Sequence, residues 1–143
     1  MGYYITDENG NRVKAYEGGD LTNYKAISED TTLTIADSGK TILLDAVGEA
    51  ITLPAVTAGL KYKFLCTADV ITSAWTITAA SKVISGSAQV AGAVVAAALE
   101  DVITIVHTKA LIGDWVSVES DGTNWYVEGS AVTAASITFT GAV

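Results

Sequence analysis

From residue 31 to residue 139 the chain is written in short runs of Thr, Val and Ile, broken by turn residues at intervals of about 8–12 residues. β-Branched residues suit a pleated, half-buried surface better than a helix. The runs predict strands over 31–35, 41–45, 50–53, 62–66, 75–78, 83–85, 102–107, 114–120, 124–128 and 136–139. Few of the connections leave room for a crossover helix, so mostly antiparallel pairing is expected. The fold class that follows is all-β: an antiparallel β-sandwich, or a jelly-roll-like or barrel domain, over residues 29–143, with an N-terminal hairpin arm over residues 1–28.

The clearest local element lies around Asp121-Gly122. A two-residue turn there sets Val118 opposite Trp125 and Val116 opposite Val127, which puts four apolar side chains on one face. The other face carries Trp115, Ser117, Glu119, Asn124, Tyr126 and Glu128. Two aromatics on a wet face make Trp115 and Tyr126 candidate contact residues, or two rings lying over a neighbouring loop. Residues 88–99 are rich in Ala and carry Gly92 and the pair Val94-Val95. A buried strand, or a small-residue surface against a second copy, is preferred there to a short helix, and twelve residues are too few to span a bilayer.

Residues 1–28 hold four of the six tyrosines and the pair Gly18-Gly19. Asn9-Gly10 suits a two-residue turn with positive φ at both central positions, which would set Asp7 opposite Arg12, Thr6 opposite Val13 and Tyr3 opposite Tyr16. A two-stranded hairpin is marginal in water, so the arm is expected to be ordered by what it packs against. Either it grips another protein through Tyr3, Tyr4, Ile5 and Tyr16, or Tyr3, Tyr4 and Ile5 fold back on their own domain.

Charge narrows the partners. Eight basic side chains against sixteen acidic ones give a net charge of −8, which repels phosphate backbones and anionic bilayers alike. No apolar run reaches the ~18–20 residues of a spanning helix, and the N-terminus lacks the regions of a signal peptide. Neither nucleic acid nor a membrane is an expected partner.

Chemistry is equally constrained. His107 is the single histidine and sits in a strand pattern with no nucleophile signature; Cys66 is the single cysteine, which excludes an internal disulfide and reads as a small core residue. The adjacent carboxylates Glu29-Asp30 and Glu100-Asp101 point to opposite faces when extended, so neither pair is an acid/base dyad. Asp7, Glu8, Asn9 and Asn11 lack the spacing of a calcium loop. The expectation is a chain with no catalytic residues, no cofactor and no metal, whose acidic excess is a solvated surface.

Two segments carry a resemblance. Residues 31–45, TTLTIADSGKTILLD, with Ile51-Thr52-Leu53-Pro54-Ala55 and Gly59, look like the opening of β-rich virion proteins of tailed bacteriophages. Gly113-Asp114-Trp115-Val116, followed by residues 120–127, resembles their closing hairpin. Together they cover most of residues 31–129, while the Ala-rich stretch 88–99 has no counterpart. The resemblance is to a style of module shared by head decoration (cement) proteins and some fibre proteins, and the small size favours decoration. It implies a homo-oligomer, a trimer by the habit of such proteins, that binds the major capsid protein on the outer surface of the virion after synthesis in the host cytoplasm. The alternative is a carbohydrate- or receptor-binding module of a fibre, in which Trp115 and Tyr126 stack on sugar rings; an acid/base hydrolase ranks below both.

Overall fold

The computed structural model of the protein describes residues 4–6, 8–10, 12–14 and 23–141. Its strands are, in chain order, β1 (Tyr4–Thr6), β2 (Arg12–Lys14), β3 (Tyr24–Ala26), β4 (Thr31–Thr32), β5 (Thr41–Leu44), β6 (Ala50–Thr52), β7 (Lys61–Cys66), β8 (Trp75–Thr78), β9 (Ile84–Val90), β10 (Ala93–Glu100), β11 (Val102–Ile105), β12 (Trp115–Ser120), β13 (Trp125–Ala131) and β14 (Ile137–Thr140). A seven-stranded sheet runs in the order β10-β9-β13-β12-β7-β5-β3, and a five-stranded sheet in the order β14-β11-β8-β6-β4. Alternation turns one side of each sheet inward: Ile42, Leu44, Tyr62, Phe64, Val116, Val118, Trp125 and Val127 from the larger sheet meet Ile51, Trp75, Ile77, Ile103, Ile105 and Ile137 from the smaller. The chain is an all-β sandwich.

Trp75 and Trp125 are 0% exposed at the centre of this core. Burying such rings is worth about 4–6 kcal/mol each at 25 cal/mol per Å². Trp75 Nε1 donates to the Asp45 carbonyl at 3.1 Å, and the Tyr62 hydroxyl donates to the Thr34 carbonyl at 2.7 Å. The Trp75 and Tyr62 rings are thereby oriented as well as buried. Cys66 lies in the same core, and burial, with Asp114 adding to it, pushes its thiol up to about 12. A thiol so rarely ionised is packing material.

The expected mostly antiparallel pairing holds for six strand pairs, but the sheets are mixed. Five of the eleven strand pairings among the described residues are parallel. Between residues 24 and 78 the chain changes sheet at each strand, with β3, β5 and β7 in the larger sheet and β4, β6 and β8 in the smaller. Each return trip is a strand of the opposite sheet, so alternate strands run the same way and pair parallel without any helix. The winding also stacks similar residues: Ile42 beside Phe64, Ile51 beside Ile77, and Thr52 between Thr32 and Thr78.

Run 31–35 yields only the two-residue β4, followed by a 3-10 turn at Ile35–Asp37. Asp37 makes that turn: its Oδ2 accepts from the Thr34 N–H at 2.9 Å and the Thr34 hydroxyl at 3.2 Å, and its Oδ1 accepts from Lys25 Nζ at 3.0 Å. Run 83–85 extends to Val90, and run 102–107 ends at Ile105, so that His107 stands exposed in the following turn.

The loop of the 121–124 hairpin holds four residues rather than two. Ser120 lies opposite Trp125, Val118 opposite Val127 and Val116 opposite Gly129, two residues away from the expected register. Asp121 sets the length, because its Oδ1 accepts from both the Thr123 and Asn124 N–H groups at 2.8 Å. A slip of two preserves side-chain parity, so Val116, Val118, Trp125 and Val127 are buried together as expected.

Residues 88–99 are neither one strand nor a helix. They form most of a hairpin, β9 to β10, turning at Ala91-Gly92 with φ of +52° and +79°. Two successive positive φ values between the paired Val90 and Ala93 are the mark of a type I′ turn. At Gly86 the parallel neighbour β13 comes so close that a Cβ would collide with the Val127 carbonyl, at φ +135°. Only glycine fits there.

The N-terminal hairpin forms with Thr6 opposite Arg12 and Ile5 opposite Val13, one residue from the expected register. That slip reflects a turn longer than two residues around Asn9-Gly10. Tyr3, Asp7 and Tyr16 lie outside the described residues. The body also begins earlier than residue 29, since β3 is an edge strand of the larger sheet and Ile27 is buried in the core.

Candidate functional site

The register of the seven-stranded sheet gives its outer face side chain by side chain. One row crosses the sheet as Val94, Gln89, Ser130, Trp115, Leu65, Leu43 and Ala26. The next reads Ala96, Ser87, Glu128, Ser117, Lys63, Thr41 and Tyr24, and a third Ala98, Ser85, Tyr126, Glu119 and Lys61. None of these side chains is fully buried.

Side-chain size gives the face its relief. Over β9 and β13 the residues are small or hydrophilic, and a trough of about 460 Å³ opens there, walled by Trp115 and lined by Ser87, Gln89, Glu128 and Ser130. On the far side of Trp115, Lys63 Nζ stands over its ring at 5.0 Å from the centroid, a cation–π contact that orients the indole from the β7 side. Beyond Lys63 a second hollow of about 230 Å³ is lined by Lys40, Lys61, Tyr62 and Glu119.

Trp115 and Tyr126 share this face as expected, but they are not a pair. Tyr126 lies opposite Glu119, four residues along β12 from Trp115, which at strand rise is about 13 Å. The Tyr126 ring is 47% exposed, and its hydroxyl donates to Asp121 Oδ2 at 2.8 Å. Of the arm candidates, Tyr4 and Ile5 belong to β1, while Tyr3 and Tyr16 are outside the described residues. Sequence reasoning missed Tyr24, 54% exposed at the β3 end of the face, because the polar, Gly-broken composition of residues 1–28 hides that β3 belongs to the sheet. It also missed Gln89, whose face depends on the unforeseen β9–β10 hairpin.

The acidic residues are not all surface. Asp37, Asp101 and Asp114 are buried, and each binds backbone N–H groups. Asp114 accepts from Leu111 and Val132, and Asp101 accepts from Lys82. Burial pushes the Asp37 carboxyl up, but the Thr34 N–H and Lys25 outweigh it and hold the group below its ordinary 3.8. Acidic side chains also crowd at the other end of β5. There desolvation first, then Asp30, Asp45 and Glu29, raise Glu49 above its ordinary value. Among the described residues no group of three or more His, Cys, Asp or Glu side chains is placed to hold a metal ion. No helix of the described residues is long and apolar enough to cross a membrane.

No protein-family model and no curated protein matches this chain. Neither comparison links the chain to phage virion proteins, and the resemblance drawn from residues 31–45 and 113–127 is an expectation from the sequence only. Residues 31–45 build β4, the Asp37 turn and β5, and residues 113–127 build β12 and the start of β13.

Proposed function

We propose that the chain is a non-catalytic virion component, a capsid decoration protein that binds the major capsid protein and assembles with copies of itself, as a trimer, on the outer surface of the head. The observation that carries this reading is the edge strand β10. Among the described residues its outer side has no strand partner, and Ala93-Val94-Val95-Ala96-Ala97-Ala98-Leu99 holds no charge and no proline, with Val94 63% and Leu99 54% exposed. Proteins that stay single blunt such edges with Lys, Pro or a covering element, whereas an assembly protein uses them. The N-terminal hairpin, a separate two-stranded sheet in the described residues, supplies a second contact element of the kind that gains order on binding.

Co-sedimentation with capsids lacking the protein tests this reading, comparing the full chain, a chain without residues 1–22, and Val94→Lys. The truncation spares β3 and is expected to stay folded while binding capsids far more weakly. Val94→Lys is expected to stay folded and to lose self-association in sedimentation velocity. Equal capsid occupancy by the truncated and full chains removes the arm from the attachment, and failure of the full chain to bind any such capsid refutes the assignment.

A further inference from the structure

The trough beside Trp115 has a chemistry that edge pairing does not use. Its wall is an indole whose β7 side is taken by Lys63, leaving the side toward β13 for a ligand. Its floor and opposite slope offer hydroxyls from Ser87 and Ser130, a primary amide from Gln89 and a carboxylate from Glu128. At about 460 Å³ it falls within the roughly 300–1,000 Å³ of small-ligand clefts. Gln89 on β9 is the lining residue farthest across the sheet from Trp115, two strand spacings away, or about 10 Å.

A ligand that fits must present a flat C–H surface to an indole and, at right angles to it, several hydroxyls to short polar groups. We infer that the trough binds a hexopyranose unit of a neutral glycan. Trp115 is the stacking platform, Glu128 accepts from ring hydroxyls, Gln89 both donates and accepts, and Ser87 and Ser130 complete the set. Neutrality follows from Glu128, the one charged residue among the lining side chains, since a hexuronate would set its own carboxylate beside that of the protein. A phosphorylated ligand is disfavoured for the same reason and by the net charge of −8. The ring fits over β9 and β13 because Ser87 and Ser130 are small where β12 presents tryptophan. The inference stands whether or not the chain is a capsid component.

The protein carries its own reporter. Of its three tryptophans, Trp75 and Trp125 are 0% exposed, so acrylamide quenching of the folded full chain reads Trp115. Trisaccharides of glucose, galactose, mannose and N-acetylglucosamine are titrated, with free hexoses and a hexuronate trisaccharide for comparison. At least one neutral trisaccharide is expected to protect Trp115 saturably, and calorimetry is expected to show binding weakened about tenfold or more by Trp115→Ala. Ser87→Leu, which keeps Trp115 but fills the trough from an exposed position, is expected to weaken binding similarly. Absence of protection by every neutral trisaccharide at tens of millimolar overturns the inference, as does a response confined to hexuronates or free hexoses. Undiminished binding to folded Ser87→Leu also overturns it, and that variant decides the matter should Trp115→Ala fail to fold.

Discussion

Residues 24–78 and residues 84–140 supply strands to the same two sheets by different routes. The first half winds, crossing between sheets at every strand, and its neighbours are parallel strands some twenty residues apart in the chain, such as Ile42 and Phe64. The second half mostly folds back on itself, with Val90 meeting Ala93 and Ser120 meeting Trp125 across tight loops. A wound half is held by stacking and by carboxylates that staple its turns, as Asp37 does. A hairpin half is held by turn geometry and by close backbone approach at Gly86. The outer face needs both, because the Trp115 of one half is oriented by the Lys63 of the other.

The comparison breaks first at Gly86. An added methyl would meet the Val127 carbonyl at a backbone angle hostile to L side chains, so Gly86→Ala is expected to cost about 3 kcal/mol in urea unfolding. An unchanged midpoint would mean that β9 does not lie parallel beside β13, and the trough they floor would go with that pairing.

Asp37→Asn tests the wound half and is expected to be milder, about 1–2 kcal/mol near neutral pH, since Asn retains an acceptor but loses the ion pair with Lys25. The pH dependence has a definite sign. The folded carboxyl titrates below its ordinary 3.8, so its contribution is present in full above that value and is lost as pH falls through the lowered folded value. The gap between wild type and Asp37→Asn is therefore expected to narrow as pH falls below 3.8 and to close once the folded carboxyl too is protonated. A gap that stays constant with acid would show that shape, not charge, holds the turn.

The smallest effect sharpens the hairpin half. Ala91 occupies a left-handed position that Asn tolerates better, so Ala91→Asn is expected to stabilise the chain by about 0.5–1 kcal/mol. A thermal melt that moves down instead would mean the turn at Ala91-Gly92 is not type I′.

Some of this architecture was readable because the relevant physics is local. Alternation of Val116, Val118, Trp125 and Val127 assigns them to one face whatever the loop length, since a strand's side chains alternate with a period of two and the observed slip was also two. At Thr6 and Val13 the slip was one, and parity offered no protection. The Ala91-Gly92 turn lacked the Asn-Gly or Asp-Gly signature, so a hairpin there was hidden by alanines that suit several structures.

Composition and pattern by themselves determined an all-β chain with Trp115 and Tyr126 turned away from the core, because strand propensity and two-residue alternation act between near neighbours. Tertiary structure alone decided the parallel winding of residues 24–78, the burial of Asp37, Asp101 and Asp114, and the trough beside Trp115. Each of these joins residues far apart in the chain, through strand pairings and backbone N–H groups whose partners no local pattern names.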